Sequence, residues 1–161
     1  KIAAAAPEMR SGAEHALESL FRSSAKAHAN QDTLADMTLA AWRWDALGMK
    51  AEFTQEINKF YWDAFQNQTD ADRVDNDLEE ITAINARLED LRDATTRLGN
   101  MYREAWLREY SPYWLDNVSV RYDTLARNFQ AKIVEVRQAR RLYDATKTLT
   151  PPQHLGFYLQ P

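Results

Sequence analysis

Residues 74–105 read VDNDLEEITAINARLEDLRDATTRLGNMYREA, and their spacing decides the fold. Val74, Ile81, Leu88, Thr95 and Tyr102 recur every seven residues, with Asp77, Ile84, Leu91, Leu98 and Ala105 as a second line beside them. Only Asp77 and Thr95 break the apolar character, and Asp77 falls in the first turns, where exposure is expected. A stripe of that period lies on one side of a helix. Burying it along its length requires neighbours packed nearly parallel, about 20° off axis. The stretch predicts one long helix over residues 72–109.

Ser111-Pro112 resets the chain, because proline disfavours helical backbone in the residue before it. Ser111 is expected to cap a further helix and Pro112 to take its first position. That helix, residues 112–147, runs on Leu115, Tyr122, Phe129, Val136 and Tyr143, with Val118, Leu125 and Ala139 on a second line; Lys132 interrupts it and Ile133 fills in. Two helices of matched length joined by two or three residues form an antiparallel hairpin. Charge agrees. Asp70 to Asp93 holds nine acids against three bases, net −6, and Arg121 to Lys147 holds seven bases against three acids, net +4. Antiparallel packing lays the acidic start of one helix beside the basic end of the other, and each charge suits its own helix dipole. This pairing accounts for the basic stretch better than an anion site does.

Upstream, Pro7 is expected to open a first, shorter helix carrying Ala13, Leu17, Leu20, Phe21 and Ala27, fading near residues 28–31. A second helix, capped by Asp32 or Thr33, shows one stripe through Leu34, Met37, Ala41, Trp44 and Ala51 and another through Phe53, Ile57, Phe60, Tyr61 and Ala64. Gly48 lies where the stripes meet. A glycine inside a helix costs about 1 kcal/mol relative to alanine, so close helix packing is expected there. The helix ends in the polar Asn67-Gln68-Thr69-Asp70. Thr150-Pro151-Pro152 stops the last helix. The reading is an all-α antiparallel helical bundle of three long helices plus a shorter N-terminal helix over residues 1–150, then an extended C-terminal tail over 151–161. Helix content of roughly 75–85% is expected, against about one-third in ordinary proteins.

Composition narrows the chemistry. The 161 residues make one ordinary domain. A net charge of −4 argues against nucleic acid as a partner, since phosphate neutralisation needs a basic surface. There are four glycines and no cysteine, so no Gly-rich phosphate loop, zinc thiolate, disulfide or cysteine nucleophile is available. No apolar run approaches a membrane span. The chain opens on Lys1 without a signal-peptide core and is expected to be a piece of something longer. His15, His28 and His154 follow Gly12, Ala25 and Pro151 at three residues, so the Glu-x-x-His pairs of di-iron bundles are missing. The acids at 70–80 lack the glycine and ligand spacing of a calcium loop and read as an acid-rich helix start. No catalytic, cofactor-binding or metal-ligating residue stands out, and no cofactor is expected. Five tryptophans, Trp42, Trp44, Trp62, Trp106 and Trp114, are many for a plain bundle. Flat rings can stack on sugars, but aromatics at helical spacing more often fill cores or interfaces.

One stretch is more specific. Tyr102 to Asp123 reads YREAWLREYSPYWLDNVSVRYD. Its Trp-Leu pair, glutamate, Pro-Tyr-Trp-Leu-Asp-Asn and Arg-Tyr-Asp resemble the C-terminal helical region of bacterial β-N-acetylhexosaminidases of glycoside hydrolase family 20. The tail Pro151-Pro152…Gly156-Phe157 is similar to the end of such chains, and residues 30–64 more loosely so, through Ala40-Ala41-x-Arg43-x-Asp45-x-Leu47-Gly48-x-Lys50. The resemblance implies a parent glycoside hydrolase, periplasmic or extracellular, with its chemistry on a (β/α)8 barrel. There an adjacent Asp-Glu pair in a His-x-Gly-Gly-Asp-Glu context assists the substrate's own acetamido group, outside the usual two-carboxylate scheme. This sequence has no Gly-Gly pair and is shorter than a barrel of about 250 residues. The resemblance therefore implies a non-catalytic accessory domain that docks on, or stabilises, the catalytic domain of the same parent chain, with Trp106, Tyr113 and Trp114 as interdomain docking residues. The alternatives are a carbohydrate-binding module using exposed tryptophans, with a glycan as partner, and a stand-alone helical interaction or scaffold protein.

Overall fold

Among the described residues of the computed structural model, five α-helices and one 3-10 turn follow in order: α1 (Ile2–Ser24), α2 (Gln31–Gln66), α3 (Ala71–Thr82), α4 (Arg87–Glu109), α5 (Leu115–Thr146) and the turn Pro152–Leu155. The structure describes residues 2–158. It is 83% helical, with no strand among the described residues, so the all-α expectation holds.

Several boundaries differ from expectation; α1 already ends at Ser24 rather than near residues 28–31, and α2 starts at Gln31, ahead of the expected cap at Asp32 or Thr33. Helix α1 starts at Ile2, and Pro7 sits inside it rather than opening it. Helix α5 starts at Leu115 rather than Pro112. The long helix expected over 72–109 breaks at residues 83–86 into α3 and α4. Ala83 turns extended (φ −68°, ψ 172°) while its N–H still reaches the Glu79 carbonyl, and Asn85 takes a left-handed φ of 62°. Asparagine tolerates that conformation better than other L-residues. The break exposes α3 carbonyls, and arginines cover them: Arg137 donates to the Thr82 oxygen at 2.6 Å and Arg87 to the Glu80 oxygen at 3.3 Å. Ile84, expected on the seam, is 83% exposed as a result.

The chain divides into two compact units. The first comprises Lys1–Glu52 and Asp93–Leu125. Its buried residues are small along most of α1 (Ala6, Ala13), with Leu20 near that helix's end, and larger on the other helices (Leu39, Leu98, Leu115). The small ones let α1 come close to α2. A Cβ built on Gly48 would lie 2.6 Å from Arg10 Cγ and 3.0 Å from the Ala6 carbonyl oxygen, which is the close packing expected at that glycine. Arg10 then bridges to Asp45 (3.3 Å) and Glu52 (2.7 Å) of α2, which raise its pKa, the Glu52 hydrogen bond most. Arg108 of α4 reaches Asp36 of α2 at 2.6 Å, and Arg103 of α4 grips Asp123 of α5 with two bonds of 2.7 and 2.8 Å. Phe21, Met37 and Trp44, expected on the apolar stripes, are exposed.

The second unit comprises Phe53–Arg92 and Ala126–Pro161. Tyr61, Val74, Leu78, Ile81, Ile133, Val136 and Tyr143 form its fully buried centre. The expected pairing of acidic and basic helix ends is present: Arg137 with Glu89 (3.0 Å), and Arg140 with Asp75 (3.1 Å) and Glu79 (3.4 Å). These half-exposed pairs are worth about 0–1 kcal/mol each and act mainly on register. Beyond Thr150 the chain is not extended. It folds back as the 3-10 turn, with Gly156 left-handed at φ 73° and Phe157 buried on Tyr61 at 4.7 Å between ring centroids. Residues 159–161 of the expected tail lie outside the described residues. The Tyr61 hydroxyl donates to the Thr150 carbonyl (2.9 Å), the Tyr143 hydroxyl to the Gln68 carbonyl (2.8 Å) and the Leu149 N–H to Gln68 Oε1 (3.0 Å). Burial pushes the Tyr61 phenol well above its ordinary pKa.

Two predictions follow from this packing. Gly48→Ala regains about 1 kcal/mol of helix propensity but overpacks a site where such additions cost about 1–3 kcal/mol, for a net loss. Gly12→Ala, on a glycine with nothing within 4 Å of the added carbon, raises stability by about 1 kcal/mol. Urea denaturation of the two variants tests the α1–α2 contact, which fails if Gly48→Ala is the more stable. The second prediction concerns Asp77. Burial, then Asp63, raise its pKa against an opposing pull from Arg73, and its Oδ2 has no hydrogen-bond partner. A raised folded-state pKa means the ionised form is disfavoured in the fold, so the penalty is full at neutral pH and absent below the unfolded-state value. Asp77→Asn therefore stabilises the protein at pH 7, and the gain fades as pH falls through the carboxylate range. A gain independent of pH would refute the electrostatic account.

Candidate functional site

The end of the first unit where α4 passes to α5 is dense in aromatic side chains. On α4, Tyr102 and Trp106 lie one turn apart with ring centroids 6.0 Å apart, and Trp106 meets Tyr110, one turn further, at 5.0 Å. Tyr122 of α5 joins the row against Tyr102 at 5.8 Å. Close helix approach makes this possible: a Cβ on Gly99 would lie 3.0 Å from Tyr122 Cβ. The i, i+4, i+8 spacing of Tyr102, Trp106 and Tyr110 is visible in the sequence, where Tyr102 reads as a seam residue and only Trp106 of the three as a docking residue.

The connection itself is built by two turns. The Trp106 indole N–H donates to the Ser111 carbonyl at 2.9 Å, which pins the chain just past α4. The Leu115 N–H bonds the Pro112 carbonyl and the Asn117 N–H bonds the Trp114 carbonyl, both at 3.1 Å. To enter α5 this way, Trp114 adopts φ 68°. Among the non-glycine residues with positive φ, Asn30 and Asn85 are of the tolerant type and Lys147 directly follows the last helix; Trp114 is the bulky one. An L-residue in that region carries about 1–2 kcal/mol of strain. Strain of this kind collects at functional surfaces, where the surrounding structure holds it in place.

Of the three expected docking residues, Tyr113 and Trp114 are together, edge to face at 5.7 Å, and 74% and 59% exposed. Trp106 is half-buried, and its ring contacts go to the Tyr102–Tyr110 row. The site is thus a half-buried aromatic row, open at Tyr110, next to a wet aromatic pair on the connection.

Other places offer less. Asp45 and Glu52 are engaged by Arg10, and Glu56 by Arg87. The three arginines lining a groove at the α3–α4 break face Glu79 and Asp144 in the same groove, and Arg137 and Arg140 are spent on cross-helix pairs. Among the described residues no group of three or more His, Asp or Glu is placed to hold a metal ion, and no helix is long and apolar enough to cross a membrane. No family model matches the chain, and no curated protein or solved structure matches it.

Replacing Trp114 by glycine removes the backbone strain and little buried area. The isolated chain is expected to keep its helix content and gain about 1 kcal/mol of stability. A loss of about 3–5 kcal/mol, as for a buried core tryptophan, would show that the ring is structural.

Proposed function

We propose that this chain is a non-catalytic helical accessory domain that docks on a partner domain through the Tyr113–Trp114 pair, with the Trp106 row as its rigid backing. The observation that carries the reading is a large aromatic pair left in water on a backbone that must be strained to present it. Covering each ring buries roughly 150–250 Å². Tryptophan and tyrosine on a rigid support are the side chains that dominate interface energetics. The partner we propose is the catalytic barrel of a parent β-N-acetylhexosaminidase, periplasmic or extracellular. That attribution rests on the family resemblance of Tyr102 to Asp123. It is supported by the fact that the stretch holding the resemblance is also the one that builds the aromatic end.

The test joins the chain to a separately expressed family 20 barrel from the same parent. Tyr113→Ser with Trp114→Ser is expected to leave the melting temperature of the isolated chain within a few degrees and weaken binding to the barrel by about 100-fold or more. Unchanged binding, or no binding by the wild-type chain, overturns the docking reading. The isolated chain is expected to release no chromophore from a nitrophenyl N-acetylglucosaminide. Turnover lost on substituting Asp45, Glu52 or Glu56 would overturn the non-catalytic part.

A further inference from the structure

A second surface of the first unit has a different chemistry. Between α1 and α2 runs an open groove of about 630 Å³, within the 300–1,000 Å³ typical of small-ligand sites. One wall is the Arg10–Asp45–Glu52 network, and the rim carries Glu14 of α1. Trp42 lines the groove, with the Arg97 guanidinium over its ring at 4.0 Å. All of these groups stand on helices, which hold side chains more firmly than loops do.

The composition of the groove decides what fits it. Its carboxylates suggest a cation at first sight. However, Asp45 and Glu52 already accept from Arg10, and Trp42 already carries a cation on its ring. A second positive charge at that ring would meet Arg97. The lining also holds Glu18, bridged to Arg22, so Glu14, Glu18, Asp45 and Glu52 stand against Arg10, Arg22 and Arg97, which leaves one excess negative charge beside a flat aromatic surface with fixed donors and acceptors. A neutral polyhydroxylated ring matches that set: its C–H face packs on the indole, whose face is electron-rich, and its hydroxyls both donate to carboxylates and accept from a guanidinium.

We propose that the α1–α2 groove at Trp42 and Arg10 is a saccharide-binding site. This gives a place to the glycan-binding alternative and uses none of Trp106, Tyr113 or Trp114, so it stands or falls separately from docking. Binding pays only a small ordering cost, because Arg10 is already held by its two carboxylates.

The test follows the tryptophan indole N–H signals of the 15N-labelled chain while maltose, cellobiose and N,N′-diacetylchitobiose are titrated in turn, with spermidine as the cationic probe. At least one saccharide is expected to shift the Trp42 signal saturably, assigned by its loss in Trp42→Leu. Glu14→Gln, on the exposed rim, keeps the fold and is expected to weaken that saccharide severalfold. Trp42→Leu, checked for an unchanged helical spectrum, weakens it by about tenfold or more. Tyr113→Ser with Trp114→Ser leaves it unchanged, which separates this result from the docking experiment. The proposal is overturned if no saccharide moves Trp42, if binding survives Trp42→Leu, if the Tyr113/Trp114 variant abolishes it, or if only spermidine binds.

Discussion

An apolar line that recurs every seven residues must be kept out of water wherever the chain is helical, and the rest of this protein depends on that constraint, which holds along α3 and α4 and lapses at Ile84 between them. Val74, Ile81, Leu88, Leu91, Thr95 and Leu98 are all buried. Burial of such a line is worth roughly 25 cal/mol for each Å² of apolar surface, far more than any of the ion pairs around it. The neighbouring helices are therefore antiparallel companions rather than crossing elements, as the Arg103–Asp123, Arg137–Glu89 and Arg140–Asp75 pairs record. Apolar burial selects the arrangement, and charge selects the register within it.

The arginines have a second task. Where the seam helix breaks at 83–86, backbone carbonyls lose their helical partners, and an unpaired buried carbonyl costs about 1–3 kcal/mol. Arg137 and Arg87 each combine a carboxylate with one of these carbonyls, so one guanidinium satisfies a helix end and ties it to another helix. The planar fork of arginine permits this, whereas a lysine ammonium would be a poorer fit to two acceptors held in a plane.

The same economy appears at the two candidate surfaces in opposite forms. At the α4–α5 end, one row of aromatic rings and a separate aromatic pair lie close in sequence, with Tyr110, Tyr113 and Trp114 exposed. In the α1–α2 groove the aromatic ring is single and already capped by Arg97, and the polar groups around it are paired and fixed. Tertiary packing makes both possible: small residues at Ala6, Ala13 and Gly48 bring α1 onto α2, and Gly99 brings α4 onto α5.

Periodicity determined the fold class, and with the short connection at Ser111-Pro112 and the helix-end charges it determined the α4–α5 hairpin and the acid–base pairing, because all of these are local properties of the sequence. The close approach at Gly48 was also legible, since a glycine inside a strong helix needs a reason. The break at residues 83–86 was not. Ile84 continues the heptad, and nothing local forbids a helix there; the turn is held where Asn85 accepts a left-handed backbone, with Arg87 just after the break and the distant Arg137 supplying the missing donors. The fold-back after Thr150 was hidden for a similar reason, since Tyr61, Gln68 and Asn58 hold that segment from far along the chain. Tyr113 and Trp114 could be picked out as unusual, but their exposure and the strained φ of Trp114 depend on the angle at which α5 leaves α4. That angle is set by the packing of whole helices, a sum over many contacts that no short stretch of sequence contains.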